Sequence, residues 1–215
     1  MRHLSLLLCL ILGATPTLAA EPPPVPGWQD YRDGKLASAR QHFEEAAGAG
    51  DRVAAFNLAM LYWRGEAVAT SKPKALYWLR RAAEQQLPQA EHALGILYEN
   101  GDAVPKSLTR ATYWFDRAAN HGLIVAQIDL GTQFFLGRGA PQDYARAAYW
   151  YEKAAEQGDA GAQYLIASMY EYGHGVRRDL ESAIRWYAKA GVQGDVAATL
   201  KAIELAKQIS GGQAL

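Results

Sequence analysis

The sequence predicts an all-α solenoid of antiparallel helix pairs. A tryptophan recurs every 36 positions, at Trp78, Trp114, Trp150 and Trp186. A helix-ending glycine and a helix-capping residue recur with the same period. Self-similarity at a fixed period is typical of stacked repeats. We therefore expect four full 36-residue repeats, preceded by a degenerate repeat and followed by a capping helix.

Residues 1–20 have the pattern of a secretory signal peptide. Arg2 precedes an apolar run over residues 4–12, and small residues follow up to Ala19 and Ala20. The apolar run is much shorter than the roughly 20 residues that a membrane-spanning helix needs. We expect cleavage after Ala19 or Ala20, and the alternative is an uncleaved N-terminal anchor.

The composition limits the classes of partner and of stabilising bond. The chain carries 22 basic and 22 acidic side chains, which gives no general attraction to nucleic acid or to an anionic membrane. Cys9 is the only cysteine and lies in the signal peptide, so the mature chain can form no disulfide. Residues 21–26 are rich in proline and predict a stiff, extended leader.

Residues 27–50 resemble a shortened first repeat, in which a short helix and a turn precede a longer helix. The longer helix is predicted over residues 36–47. Ala39, Phe43 and Ala46 follow the helical spacing i, i+4, i+7 and should lie on its packed side.

Each full repeat begins with a helix that we call helix A. Its apolar residues recur at positions i, i+4, i+5 and i+8, which fall on one side of an α-helix. The third of these residues is small, so a paired helix can approach closely. The predicted packed residues are Ala54, Leu58, Ala59 and Tyr62; Ala90, Leu94, Gly95 and Tyr98; Ala126, Leu130, Gly131 and Phe134; and Ala162, Ile166, Ala167 and Tyr170.

Helix A ends at a glycine in every repeat, and a second helix, helix B, begins after a capping residue. Glycine tolerates the left-handed conformation that closes a helix, and Ser or Asp can accept hydrogen bonds from the first-turn amides. We expect the tryptophan of helix B to belong to the core. The glycines are Gly65, Gly101, Gly137 and Gly173, and the caps are Ser71, Ser107, Asp143 and Asp179.

The last predicted helix covers residues 195–209 and has no helix B behind it. Lys201, Glu204 and Lys207 should give it the polar side that a terminal cap requires. Residues 210–215 are expected to be a flexible tail.

The repeated pattern A-x3-L-G-x2-Y-x2-G, followed by a loop and by A-x2-W-x3-A-A-x2-G, resembles the Sel-one-like repeat (SLR), a relative of the tetratricopeptide repeat. The resemblance covers residues 51–194, within a repeat domain predicted over residues 27–209. Ala67 and Ala103 stand where the second glycine of a G-x-G-V loop is usual in the family that the sequence resembles. The resemblance implies a right-handed superhelix with helix A on the concave face and helix B on the convex face.

No catalytic or metal-binding pattern is legible in the mature sequence. No histidine lies three or four residues from another, which is a common spacing of metal ligands. The loops at residues 137–139 and 173–175 lack the preceding strand and the Lys-Ser/Thr of a phosphate loop. We therefore predict no enzyme activity, no cofactor and no metal.

The predicted partner-binding face consists of helix A positions that vary between repeats while the packed positions stay constant. These positions are rich in apolar groups and poor in Lys and Arg, which suits an apolar or mixed peptide, helix or loop. The alternative is that the superhelix packs much of this surface against itself. The predicted residues are Phe56, Met60, Trp63 and Arg64; His92, Ile96, Glu99 and Asn100; Ile128, Thr132, Phe135 and Leu136; and Tyr164, Ser168, Glu171 and Tyr172.

The function predicted from these features is that of an exported module that binds a protein partner. SLR proteins are adaptors or regulators that assemble complexes, so the resemblance implies such a role, and in a double-membrane bacterium the location would be periplasmic. We expect a monomer when free, with no membrane span in the mature chain and no nucleic-acid partner. One alternative is an immunity or inhibitor protein that neutralises a secreted antibacterial toxin. A more remote alternative is an enzyme that acts on the cell wall.

Overall fold

The computed structural model of the protein describes residues 27–212, which form eleven helices and, within that range, no strand. The predicted signal peptide, the leader and the last three residues of the predicted tail lie outside the described residues. The chain divides into two compact units, one ending at Lys106 and one beginning at Ser107, and each is described by itself. Within residues 27–212, no helix combines the length and the hydropathy that a membrane crossing requires.

The N-terminal unit contains five helices, and each packs on the next. Two helices form the degenerate repeat, helices α3 and α4 are helix A and helix B of repeat one, and α5 is helix A of repeat two. Their bounds are α1 (Trp28–Arg32), α2 (Leu36–Gly48), α3 (Arg52–Arg64), α4 (Lys72–Glu84) and α5 (Pro88–Asn100).

The C-terminal unit contains six helices, again packed consecutively. It begins with helix B of repeat two, continues through repeats three and four, and finishes with the terminal helix. The bounds are α6 (Leu108–Asn120), α7 (Ile124–Leu136), α8 (Tyr144–Glu156), α9 (Ala160–Tyr172), α10 (Leu180–Val192) and α11 (Val196–Gly212).

The predicted packed residues of helix A are confirmed as core. All are buried except Tyr170, which is partly buried. The small residue has the expected purpose at Gly131, because a Cβ placed there would lie 2.8 Å from ring carbons of Tyr151 on α8. Helix A and helix B of repeat three therefore meet at a ring-on-glycine contact.

The predicted ends of helix A and starts of helix B are confirmed in all four full repeats. The four closing glycines have φ between 66° and 76°, the left-handed conformation that ends a helix. The four predicted caps accept hydrogen bonds from first-turn amides, for example Asp143 from the Arg146 amide at 3.0 Å. Together these contacts and closing turns fix each full helix A and helix B at 13 residues.

The prediction that the repeated tryptophans form the core is wrong in detail. Only Trp150 is buried, and the other three are partly exposed. Helix B instead buries the residue that follows each tryptophan. The indole ring of each partly exposed tryptophan contacts a cationic side chain of the same helix; for example, the Arg117 guanidinium lies 5.3 Å from the Trp114 ring centre. The buried residues of helix B at this position are Leu79, Phe115, Tyr151 and Tyr187.

Three helices B also expose a tyrosine immediately before the tryptophan. Tyr77, Tyr113 and Tyr149 are between 53% and 54% exposed. Each ring meets the following indole edge-on, with centroids 5.0 to 5.2 Å apart. Exposed aromatic rings therefore occur at equivalent places in both units.

Two predictions for the ends of the solenoid need correction. In α2 the third buried residue is Ala47, whereas Ala46 is only partly buried, because the packed side follows the spacing i, i+4, i+8. Helix α11 continues to Gly212, beyond the predicted end at residue 209. Its polar side is incomplete, because the Lys201 ammonium turns inward to the Glu171 carboxylate at 2.9 Å.

Candidate partner-binding site

In the N-terminal unit, helix α1 covers part of the predicted partner-binding face. Phe56 and Met60 are buried, so we correct their assignment from contact residues to core. Met60 lines a small cavity together with Trp28 and Tyr31 of α1. The degenerate repeat thus closes this end of the face with two aromatic side chains.

The other two predicted residues of α3 are engaged within the chain. The Lys72 ammonium lies 5.4 Å from the ring centre of Trp63, which is partly buried. The Arg64 guanidinium lies 3.5 Å from the Tyr31 hydroxyl and 3.7 Å from the Glu66 carboxylate. Trp63, the most conspicuous residue in the sequence, is therefore not an open aromatic surface.

Helix α5 exposes only the last of its four predicted residues. His92 is buried and is corrected to a core residue, since it occupies the same repeat position as Phe56, which also faces inward. Ile96 and Glu99 are partly buried, and Asn100 is exposed.

In the C-terminal unit, the early turns of α7 and α9 are also engaged internally. Ile128, Thr132, Tyr164 and Ser168 are all partly buried. The Thr132 hydroxyl donates to the Ile128 carbonyl at 2.9 Å, and the Tyr164 ring meets that of Tyr187 edge-on at 5.0 Å.

Glu171 is buried and forms a polar cluster that ties three helices together, so it is corrected from a contact residue to a structural one. Its carboxylate accepts hydrogen bonds from the Tyr187 hydroxyl at 2.7 Å and from the Lys201 ammonium at 2.9 Å. Burial alone would raise the pKa of Glu171, but these two hydrogen bonds, the positive charge of Lys201 and a hydrogen bond from Tyr172 together outweigh burial and lower it. Burial and the bond to Glu171 raise the pKa of Tyr187.

The final turns of α7 and α9 contribute to a cluster that we call the aromatic patch: the rings of Phe135, Tyr144, Tyr172 and His174, with the exposed Leu136 side chain next to Phe135 at the end of α7. The imidazole of His174 stacks on the ring of Tyr144, with centroids 5.4 Å apart and planes inclined by 22°. Phe135 and Tyr172 complete the cluster, with ring centres 6.3 and 5.9 Å from that of His174.

The loop after α9 sets the position of His174. Gly175 has φ 70°, and a Cβ there would collide with the backbone carbonyl of Tyr144, so this loop lies directly against the first turn of α8. The Gln142 side-chain amide holds the other side of the patch, because it donates to the Phe135 carbonyl at 2.8 Å and to the Tyr144 hydroxyl at 3.1 Å.

The aromatic patch exposes more apolar surface than the rest of the predicted face. Tyr172 is 56% and Leu136 is 52% exposed, and Tyr144 is also exposed. Aromatic side chains dominate the energetics of protein interfaces. Arg177 lies in the same loop as His174 and is exposed, with no ion-pair partner among residues 27–212.

Sequence reasoning found three members of the patch and missed two. Phe135, Leu136 and Tyr172 were predicted from helical spacing, and the structure places the rings of Phe135 and Tyr172 around His174 and leaves Leu136 exposed beside Phe135. Tyr144 and His174 were missed because one begins helix B and the other lies in a loop. The signal that could have found them is the second glycine of the loop, Gly175, which marks a close approach of two backbones.

The structure shows no cluster of metal ligands. Among residues 27–212, no group of three His, Cys, Asp or Glu side chains could hold an ion. The aromatic patch offers ring stacking and apolar contact, which are interactions typical of a binding surface.

Comparison with known proteins identifies the repeat. The sequence model described as Sel1 repeat matches residues 52–87, 88–123, 124–159 and 160–195. The chain belongs to the Sel1 repeat family. These four segments confirm the predicted resemblance and the four full repeats, and Sel1 repeats are protein-interaction modules.

Two solved Sel1-type structures are similar to this chain. The Sel1 repeat protein from Oxalobacter formigenes is 38% identical, with a TM-score of 0.74 over 79% of this chain and 50% of that chain. The uropathogenic Escherichia coli protein c5321, described as a protective antigen with an SLR fold, is 36% identical, with a TM-score of 0.69 over 74% of this chain and 34% of that chain. The present chain thus spans half or less of these relatives. Among curated proteins there is no significant match.

Proposed function

We propose that this Sel1 repeat protein is an exported protein-binding module and that its partner docks on the aromatic patch. The observation that carries the proposal is the exposed cluster of Tyr144, Tyr172 and His174 in the C-terminal unit. Export is supported by the signal-peptide pattern of residues 1–20, and a protein-binding role by the family. The role is that of an adaptor, scaffold or regulator in the cell envelope.

The chemistry of the patch defines the partner surface that fits it. Tyr172 and Leu136 offer apolar area, and the stacked His174 and Tyr144 rings offer a flat face for an aliphatic or aromatic side chain. Arg177 and Arg178 follow in the same loop, and the Arg178 side chain is anchored to the Glu171 carbonyl at 3.0 Å. A partner segment with an apolar anchor beside a carboxylate would satisfy both features.

Affinity capture tests this proposal. The mature protein is used to capture partners from its own envelope extract, which are then read by mass spectrometry. We expect a Tyr172→Ala, Leu136→Ala double variant to lose the partner that the wild type retains. Tyr113→Ala, Tyr149→Ala is the matched control, because these exposed tyrosines lie in the same unit and outside the patch. Equal retention by the patch double variant would contradict the proposal.

The identity of the captured partner also distinguishes the two roles. A secreted toxin as the captured partner would assign the inhibitor role, and an envelope component would assign the adaptor role.

N-terminal sequencing of protein from the periplasmic fraction should find a chain that begins at Ala20 or Glu21. Full-length protein confined to the cytoplasm would contradict export.

A further inference from the structure

Helix α11 exposes an apolar stripe along one side. Val196, Leu200 and Ile203 follow the spacing i, i+4, i+7 and are 71%, 63% and 48% exposed. We call these three residues the terminal stripe. A contiguous apolar stripe that is exposed on a helix indicates a surface that another element can cover.

The equivalent residues of α9 show what kind of element covers this side of a helix A. Tyr164 and Ala167 stand 36 positions before Leu200 and Ile203. The Tyr164 ring contacts the Tyr187 ring of α10 at 5.0 Å, and Ala167 is fully buried in a cluster that includes Tyr187. The terminal stripe therefore continues an interface that a helix B covers in the preceding repeat, whereas no described element covers α11 there.

Charge distinguishes a helix that would cover the terminal stripe from α10. In α9 the next residue along this side is Glu171, which accepts a hydrogen bond from the Tyr187 hydroxyl. Its equivalent in α11 is Lys207, which is exposed and has no ion-pair partner among residues 27–212. A helix that covers the terminal stripe would thus present a carboxylate at the place where α10 presents a tyrosine hydroxyl.

The size of the terminal stripe favours a single helix over a second copy of the chain. Three aliphatic side chains bury roughly 100 Å² each, so a twofold pairing of two stripes would bury roughly 600 Å² in total. Stable interfaces between folded proteins bury about 1,200 Å² or more. A helix laid along the terminal stripe needs no such area from α11 alone, because its own ends can extend onto α10.

We propose that α11 is a second docking surface, which receives an amphipathic helix of a partner protein. The apolar side of that helix contacts Leu200 and Ile203, and its carboxylate pairs with Lys207. The proposal is independent of the aromatic patch, which involves other residues.

A peptide copy of α10 tests this assignment. The probe is an N-acetylated, C-amidated peptide of residues 180–192 that carries Tyr187→Glu, and the matched control peptide carries Tyr187→Lys. We expect the Glu peptide to shift backbone amide NMR resonances of residues 196–212 in the full mature chain. The Lys peptide should cause no such shifts, because its ammonium would face Lys207.

Two variants of the chain make the test specific. Ile203→Asp should weaken the binding of the Glu peptide at least tenfold. Because Ile203 is exposed, this variant should keep the helical circular dichroism of the wild type. Lys207→Glu should reverse the preference toward the Lys peptide. Binding that is unaffected by Ile203→Asp, or resonance shifts outside α11 and α10, would overturn the proposal. Sedimentation of the chain alone as a dimer that Ile203→Asp dissociates would also overturn it, in favour of a second copy.

Discussion

At the scale of single residues, the least predictable feature is the buried carboxylate of Glu171. The sequence placed it on an open face, whereas the structure surrounds it with the Tyr187 hydroxyl and the Lys201 ammonium. Helical spacing specifies the direction of a side chain but not what lies opposite it. The two partners of Glu171 lie 16 and 30 positions away, on α10 and α11, so no local pattern could identify them.

The Glu171 cluster predicts a pH-dependent loss of stability. Because the folded-state pKa of Glu171 is lowered, its contribution is present above the ordinary value of 4.5 and is lost as the pH falls through the folded-state pKa. Glu171→Gln should therefore lower the free energy of unfolding at pH 7 by about 1–3 kcal/mol. The difference from the wild type should shrink below pH 4.5.

Urea denaturation at pH 7 and at about pH 3 measures this difference. Glu181→Gln is a suitable control, because Glu181 forms an exposed ion pair with Arg185 at 3.9 Å and should contribute less than about 1 kcal/mol. A Glu171→Gln penalty that is the same at both pH values would mean that the carboxylate charge does not matter.

Neighbouring residues of helix B separate the core from the surface. Phe115 is fully buried and Trp114 is partly exposed, although the tryptophan is identical in all four full repeats and the residue after it is not. Phe115→Ala should lower the free energy of unfolding by about 3–5 kcal/mol, because it removes a buried ring. Trp114→Ala should cost less. Chemical denaturation of both variants measures the two losses in the free energy of unfolding. A larger loss for Trp114→Ala than for Phe115→Ala would show that the tryptophans are core residues after all.

At the scale of elements, the helices of the four full repeats and their ends followed from the sequence, and the contacts of the loops did not. Each cap and closing glycine acts within a few residues of itself, so a repeated local signal suffices to place it. The loop contact of Gly175 with Tyr144 joins two repeats, and the sequence of one repeat does not contain it. The repeat-one and repeat-two loops keep the same left-handed backbone with alanine, since Ala67 and Ala103 have φ of 59° and 60°.

A pair of glycine variants tests the role of this loop. Gly175→Ala and Gly139→Ala both place a Cβ at a left-handed position against the backbone of a preceding helix B. Each should lower the free energy of unfolding by at least about 1–2 kcal/mol. Only Gly175→Ala should also reduce partner capture, because it moves His174 from the Tyr144 ring.

Partner capture and thermal denaturation are measured on the same samples of the two variants. A comparable loss of capture in both would show that the effect follows from stability alone. Retained capture in Gly175→Ala would show that the stacking of His174 is not needed for binding.

At the scale of the whole molecule, the packed positions repeat regularly, whereas the two proposed binding surfaces do not. Packed alanines, leucines and glycines recur every 36 positions, and they account for the family and the fold. The aromatic patch and the terminal stripe use positions at which the repeats differ. This arrangement explains why the fold was readable from the sequence while only part of the candidate site was.

The most direct test of the central claim is hydrogen–deuterium exchange of the mature protein with and without its captured partner. If the partner docks on the aromatic patch, protection should appear in two segments of the C-terminal unit, residues 135–144 and 172–178. Helices α3 and α5 should exchange as they do in the free protein. Protection confined to α3 and α5, with the two C-terminal segments unchanged, would contradict this account and return the site to the residues around Trp63.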